Sequence, residues 1–179
     1  MVVMADVTVA EEEYLQTLYW LYEARLPMTG ANVARAMQLS APTVHEMIGR
    51  LERDGHITRA SDKAISFTGS GREHAEAIVR RHRLIERFLT DVLGIPWDEV
   101  HEEAERLEHA MSPVLEARML AAIGDAKTCP HGHPIEAGGA RVTVTRSVAE
   151  TVSVLADPPP PPRVALPEQL VLARDRYGR

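Results

Sequence analysis

The chain has 179 residues, 45% of them apolar and only 4% aromatic, so a core can form and it must be aliphatic and helical in character. No run approaches the roughly 18 to 20 apolar residues needed to span a bilayer, the first residues show no secretory signal, and the lone Cys129 excludes an internal disulfide; a cytoplasmic protein with no membrane partner is expected. The net charge of −6 is uneven: residues 25–90 hold eleven basic against seven acidic side chains, residues 91–139 three against ten, so a polyanion is drawn to the first stretch and a cation to the second.

In chain order, the spacing of Leu15, Leu18, Tyr19 and Tyr22 predicts an amphipathic helix from about Glu11 to Tyr22. "MTGANVARAMQLSAPTVHEMIGRLERDGHI" then reads as two short helices with a tight connection. Thr29 caps the first, Gln38 and Leu39 make the turn, and Ser40 caps the second with Pro42 in its first turn. Val44, Met47, Ile48 and Leu51 form the buried stripe of that second helix, and Asp54-Gly55 closes it. "HITRA" and "AISFT" follow as strands around a tip at Ser61, Asp62 and Lys63.

Helix, turn, helix and hairpin is the order of a winged helix-turn-helix. Thr43, His45, Glu46 and Arg50 lie away from the stripe, with Ser40 and Pro42 at the head of the same helix. They are the candidate groove-facing residues, and Lys63 on the wing is the candidate phosphate or minor-groove contact.

Three more helices are expected: Gly71 to Leu93, Pro96 to about Met111, and one from Ser112-Pro113 ending before Gly124. Their apolar faces suggest a helical dimer interface. Within the second of them, "HEEAERLEHA" at 101–110 puts His101, Glu105, Glu108 and His109 on one face beside an apolar stripe of Val100, Ala104, Leu107 and Met111. His82 and Glu86 in "RRHRLIERFL" are four apart and share a helix face.

Joined by His101, they make a three-donor set; Glu105, Glu108 and His109 make another. Imidazole and carboxylate donors suit Mn2+, Fe2+, Co2+ or Zn2+. Enzyme signatures fail: "HEEAE" misses H-E-x-x-H because residue 105 is Glu, and an E-x-x-H ending at His109 would need Glu where Arg106 stands. No enzyme activity is expected. Cys129, His131 and His133 in "CPHGHP" are read as part of a Pro/Gly turn before they are read as ligands. Beyond residue 140, "ARVTVTRSVAETVSVLAD" alternates like strand and "PPPPP" at 158–162 is a stiff spacer.

"EYLQTLYWL", "SAPTVHEMIGRLERDGHI", "RRHRLIERFLTDVLGI" and "DEVHEEAERLEHAMS" resemble the diphtheria-toxin-repressor family of metal-dependent transcriptional regulators, in one register from about residue 10 to 139. The resemblance implies a mainly α chain. Its expected parts are a winged helix-turn-helix at 1–73, a helical dimerisation and metal-binding domain at 74–139, and a tail at 140–179 with a polyproline spacer, either a truncated SH3-like domain or an unrelated segment. It implies a repressor of metal-uptake genes that binds double-stranded operator DNA as a metal-loaded homodimer.

It also implies a primary metal site of Glu13, Glu105, Glu108 and His109 and an ancillary site of His82, Glu86 and His101. Glu11 and Glu12 are chemically equal to Glu13, and the choice of Glu13 follows the resemblance alone. A carboxylate at position 105, where the iron-sensing members carry cysteine, resembles the manganese-sensing members, so Mn2+ is expected, with Fe2+ as the alternative and Co2+ or Zn2+ as substitutes. The competing readings are a metal-dependent helical-bundle enzyme and a metal-independent winged-helix regulator.

Overall fold

The computed structural model describes residues 7–136, so the readings placed on residues 137–179 lie outside the described residues. The chain divides into two compact units between Val79 and Arg80.

In the first unit, helix α1 spans Val9–Glu23. It begins two residues before the expected start because Thr8 and Glu11 form a capping box: the Thr8 side chain accepts from the Glu11 backbone, and the Glu11 side chain accepts from that of Thr8. Leu15, Leu18 and Leu21 are fully buried. Tyr22 departs from the expected stripe. It is 44% exposed, because the helical period favours Leu21 for the buried line, and its ring lies under the Arg72 guanidinium, 4.9 Å from the centroid.

Helix α2, Gly30–Met37, is capped by Thr29 and ends at Gln38, whose φ of 53° is left-handed. Helix α3, Ala41–Arg53, is capped by Ser40 and buries Val44, Ile48 and Leu51. α1 touches both α2 and α3, and α3 touches the hairpin. That hairpin is β1 (Ile57–Arg59) antiparallel to β2 (Ile65–Phe67), with Ile57 opposite Phe67 and Arg59 opposite Ile65. At its tip Lys63 takes a left-handed φ of 68°, and Asp62 Oδ1 accepts from Ala64 N at 3.0 Å. Helix α4, Gly69–Leu93, starts in this unit. A side chain at Gly71 would place its Cβ 1.8 Å from the His56 carbonyl oxygen, so only glycine admits the approach.

The second unit contains the rest of α4, α5 (Val100–Glu108) and α6 (Pro113–Ala122, capped by Ser112). Leu84, Ile85, Leu89, Val100, Ala104, Met111, Met119, Ile123 and Ile135 form its core. Two expectations are corrected here. α5 starts at Val100 instead of Pro96, because residues 96–99 make a single turn with Glu99 N donating to Pro96 O at 2.9 Å. Leu107, placed on the apolar stripe by its spacing, is 42% exposed, while Glu108 is 1% exposed. The buried line of α5 therefore runs through Val100, Ala104 and Glu108, which turns Leu107 outward.

After α6, Thr128 and Pro134 form an antiparallel bridge, and Gly132 at φ 87° lets the loop turn back between them. Ile135 returns to the core. Arg80 pairs with Glu116 and, at 3.3 Å, with Glu136, and Arg83 Nη1 donates to Pro134 O at 3.0 Å. The loop is thereby fastened to α4.

Candidate metal centre

α4 projects His82 and Glu86 one turn apart toward the second unit's interior, where both are at most 3% exposed. α5 brings His101 to them: His82 Nε2 lies 3.0 Å from His101 Nδ1 and 3.0 Å from Glu86 Oε1, and His101 Nδ1 lies 3.2 Å from that same oxygen. These three residues offer donor atoms that all fall within 4.8 Å of one another. On its other side His82 Nδ1 donates to Glu108 Oε2 at 2.6 Å. That bond leaves Nε2 as the ligand atom and turns the ring toward the set, the orientation a metal-binding histidine needs.

Glu108 has two directions. Oε2 holds His82, while Oε1 lies 3.4 Å from His109 Nε2. Glu105 Oε1 lies 3.4 Å from His101 Nε2. All the α5 residues named from the sequence thus join one continuous polar chain with His82 and Glu86.

The chain continues into the loop that the sequence marked first as a Pro/Gly turn and only second as a ligand group. His131 Nδ1 lies 3.2 Å from Glu86 Oε2 and 3.9 Å from Cys129 Sγ, and Glu86, Cys129 and His131 form a second buried three-donor group. His131 Nε2 donates to the Trp97 carbonyl at 2.9 Å, again freeing the opposite ring nitrogen for the group. The Glu86 carboxylate is therefore shared, one oxygen to each set. The available signal was the C-x-H spacing in "CPHGHP". What hid it is distance along the chain: His131 stands 45 residues from Glu86.

Electrostatics agree with the geometry. Burial opposes a charge on His82, but the carboxylates of Glu86 and Glu108 overcome it and raise the imidazole to about 10. Burial likewise opposes a charge on His131, and Cys129 and Glu86 raise it to about 10. For Glu86, burial pushes up while His82, His101 and His131 pull the carboxyl well below its ordinary value. Burial raises the Cys129 thiol. A buried acid surrounded by imidazoles fits a divalent cation, which replaces the protons holding the group together.

Two family models match the chain: the N-terminal DNA-binding domain of the iron-dependent repressors over residues 6–65, and their metal-binding and dimerisation domain over residues 68–137. The solved structure of the manganese regulator SloR is 35% identical, covers 78% of this chain and 67% of its own, and superposes with a TM-score of 0.64. The chain belongs to the iron-dependent repressor family.

Similar proteins include the iron-dependent repressor IdeR of Mycobacterium leprae, 42% identical over 132 residues, with 74% of this chain and 57% of that protein covered. A manganese-dependent transcriptional repressor in complex with manganese is 41% identical, covers 70% of this chain and 57% of its own, and superposes with a TM-score of 0.65. The chain spans a little over half the length of the curated relatives it matches.

The remaining sequence-named residues lie in the first unit. Ser40, Pro42, Thr43, His45, Glu46 and Arg50 are all exposed on α3 or at its cap, and Lys63 is exposed at the hairpin tip. Glu13 is half-buried on α1. Of its two rivals, Glu11 is consumed by Thr8 and by Arg50, whose Nε lies 2.9 Å from Glu11 Oε1. Among the described residues no helix is long and apolar enough to cross a membrane.

Proposed function

We propose that this chain is a metal-responsive transcriptional regulator, a repressor of metal-uptake genes that binds double-stranded operator DNA as a metal-loaded homodimer in the cytoplasm. The observation that carries the reading is the run Glu108, His82, Glu86, His131 and Cys129, buried and continued by the half-buried His109, in a unit of the same chain as an exposed helix-turn-helix face. Burying so many ionisable side chains has a structural cost that a cation binding function explains.

His82, Glu86 and His101 would hold one ion, and Glu86, Cys129 and His131 offer donors to the same region. Glu105, Glu108 and His109 would serve the primary site. Glu13 is kept as its further donor on the strength of the resemblance, and Glu13→Ala tests it. The ion supplies positive charge that lets the carboxylates approach without protons. Oxygen at position 105 favours Mn2+ over Fe2+ for the primary set, whereas the Cys129 sulfur suits softer ions such as Fe2+, Co2+ or Zn2+. Thr43, His45 and Glu46 would face bases in the major groove, with Ser40 and Pro42 at the helix head and Lys63 on phosphate.

The test is fluorescence anisotropy of labelled promoter DNA titrated with the full chain, in EDTA and then in Mn2+, Fe2+ and Zn2+. A five- to 150-fold gain with metal, the ordinary range of a coupling of about 1 to 3 kcal/mol, is expected. Equal affinity in EDTA would overturn the reading in favour of a metal-independent regulator.

A further inference from the structure

Glu11 lies outside the metal reading, yet it is 3% exposed, the most deeply buried acid of the first unit's described residues. Its carboxylate is fully engaged. Oε2 accepts from Thr8 N at 2.8 Å and from Thr8 Oγ1 at 2.6 Å, and Oε1 is ion-paired with Arg50, 2.9 Å from its Nε. Burial alone would raise its pKa, but Thr8 and then Arg50 bring it below the ordinary carboxylate value, so it stays ionised and paired.

Arg50 stands on α3 with a side chain 45% exposed, and Asp54 Oδ2 lies 3.6 Å from the same Nε. Two carboxylates around one guanidinium leave little positive charge for a phosphate. α1, which carries Glu13 two residues beyond Glu11, and α3, which presents the exposed reading face, are in direct contact. The ion pair between Arg50 and the buried Glu11 carboxylate ties the two helices together in a way that apolar packing alone does not.

We propose that Arg50 is a positioning residue rather than a DNA contact: through Glu11 it clasps the first turn of α1 to the recognition helix, so that the placement of α1 is passed to the face that reads DNA. The metal-linked part of this inference rests on the function proposed above; the clasp itself does not. It makes Glu11 a residue of the switch without being a ligand.

The test uses the full-length protein and the same labelled promoter DNA, with Glu11→Gln, Arg50→Gln, the double variant and Arg50→Lys. Operator affinity with and without Mn2+, its salt dependence, Mn2+ affinity in the absence of DNA, and the melting temperature are measured for each. Each single variant is expected to cut the Mn2+-induced gain at least about fivefold, with the double no worse than either single. Arg50→Lys, which keeps the charge but replaces the planar guanidinium with a compact ammonium, restores the gain only in part.

The salt slope and the Mn2+ affinity of the free protein stay as in wild type. A salt slope reduced by about one in Arg50→Gln and restored in Arg50→Lys would make Arg50 a phosphate contact and end the proposal. So would lower melting temperatures with an intact Mn2+ gain, which mark the pair as scaffold only. If wild type itself shows no Mn2+ gain, the proposed function fails separately; the clasp is then decided by the metal-free affinities, where non-additive losses support it and additive losses refute it.

Discussion

Helices α3 and α5 draw on the same polar side chains and bury opposite parts of themselves. α3 hides Val44, Ile48 and Leu51 and leaves Thr43, His45 and Glu46 exposed. α5 hides Val100, Ala104 and Glu108 and leaves Leu107 outside. The first arrangement follows the separation of apolar from polar surface and needs no further explanation as a fold. The second breaks that rule, and it stands only because His82 meets the Glu108 carboxylate at 2.6 Å. A polar face presented to solvent is free to meet an external partner. A polar face turned inward has already found its partners, and its chemistry serves whatever the interior holds.

The sharpest way to break this contrast is Glu86→Ala. It leaves His82, His101 and His131 facing one another with their common carboxylate gone. Breaking a buried ion pair by deleting one member typically costs about 3 to 5 kcal/mol, and urea unfolding of the chelated protein is expected to show a loss of that order. Exposed-face substitutions such as Thr43→Ala or His45→Ala are expected to stay within about 0.5 kcal/mol of wild type. Equal stability of Glu86→Ala and wild type would show that the inward polar run does not form in solution.

Next in size is Glu105→Ala. Glu105 is half-buried beside His101, so its loss should spare the fold while removing the metal-induced gain in operator affinity, about five- to 150-fold by the ordinary scale of such couplings. Anisotropy with and without Mn2+ measures it, and a retained gain would remove Glu105 from the metal set. Glu105→Cys sharpens the point, since sulfur there should move preference from Mn2+ toward Fe2+, Co2+ and Zn2+ in competition titrations.

The contrast also explains what the sequence could disclose. Thr29 and Ser40 were legible as caps because a hydroxyl residue before a periodic run satisfies the helix's first free N–H groups locally. The α3 stripe was legible because segregation by polarity is a one-helix property. The grouping of His82 and Glu86 was half-legible, since spacing of four fixes a shared face, while the arrival of His101 depends on how α5 folds back. Leu107 lost its expected place on the stripe because the Glu108 carboxylate takes the buried position where a distant imidazole meets it, and no window on α5 contains His82. Cys129 and His131 were hidden by the same non-locality: the turn at Gly132 was readable, but the approach to Glu86 was not.

Lys63→Ala tests the outward side. Lys63 holds a left-handed backbone at the hairpin tip, a conformation that a residue with a side chain adopts at some strain. As a phosphate contact its loss should weaken operator binding across sequences and reduce the salt slope by about 0.9, with metal affinity unchanged. An unchanged slope would place the wing off the backbone.

The smallest expected effect sets the histidines of the two units against each other through pH. His82 and His131 are raised to about 10, so the stability they lend the chelated protein is fully present below 6.5 and is lost as pH rises toward 10. His56 in the first unit moves the other way. Burial, and then the neighbouring His74 ring 5.2 Å away, lower its pKa against the smaller opposing pull of Glu11 and Asp54, and its Nδ1 meets no hydrogen-bond partner among the described residues. A group depressed on folding is neutral in the native state where the unfolded chain would be protonated, so the unfolded state binds more protons and stability is lost as pH falls below 6.5. Replacing His56 with Phe keeps an apolar ring in that space and removes the titration. The expected result is a melting temperature that falls less between pH 7.5 and 5.5 than in wild type, with the loss above pH 7.5 unaltered. If the variant and wild type track each other through the acid range, the acid sensitivity does not originate at His56, and the opposition between the two units is lost.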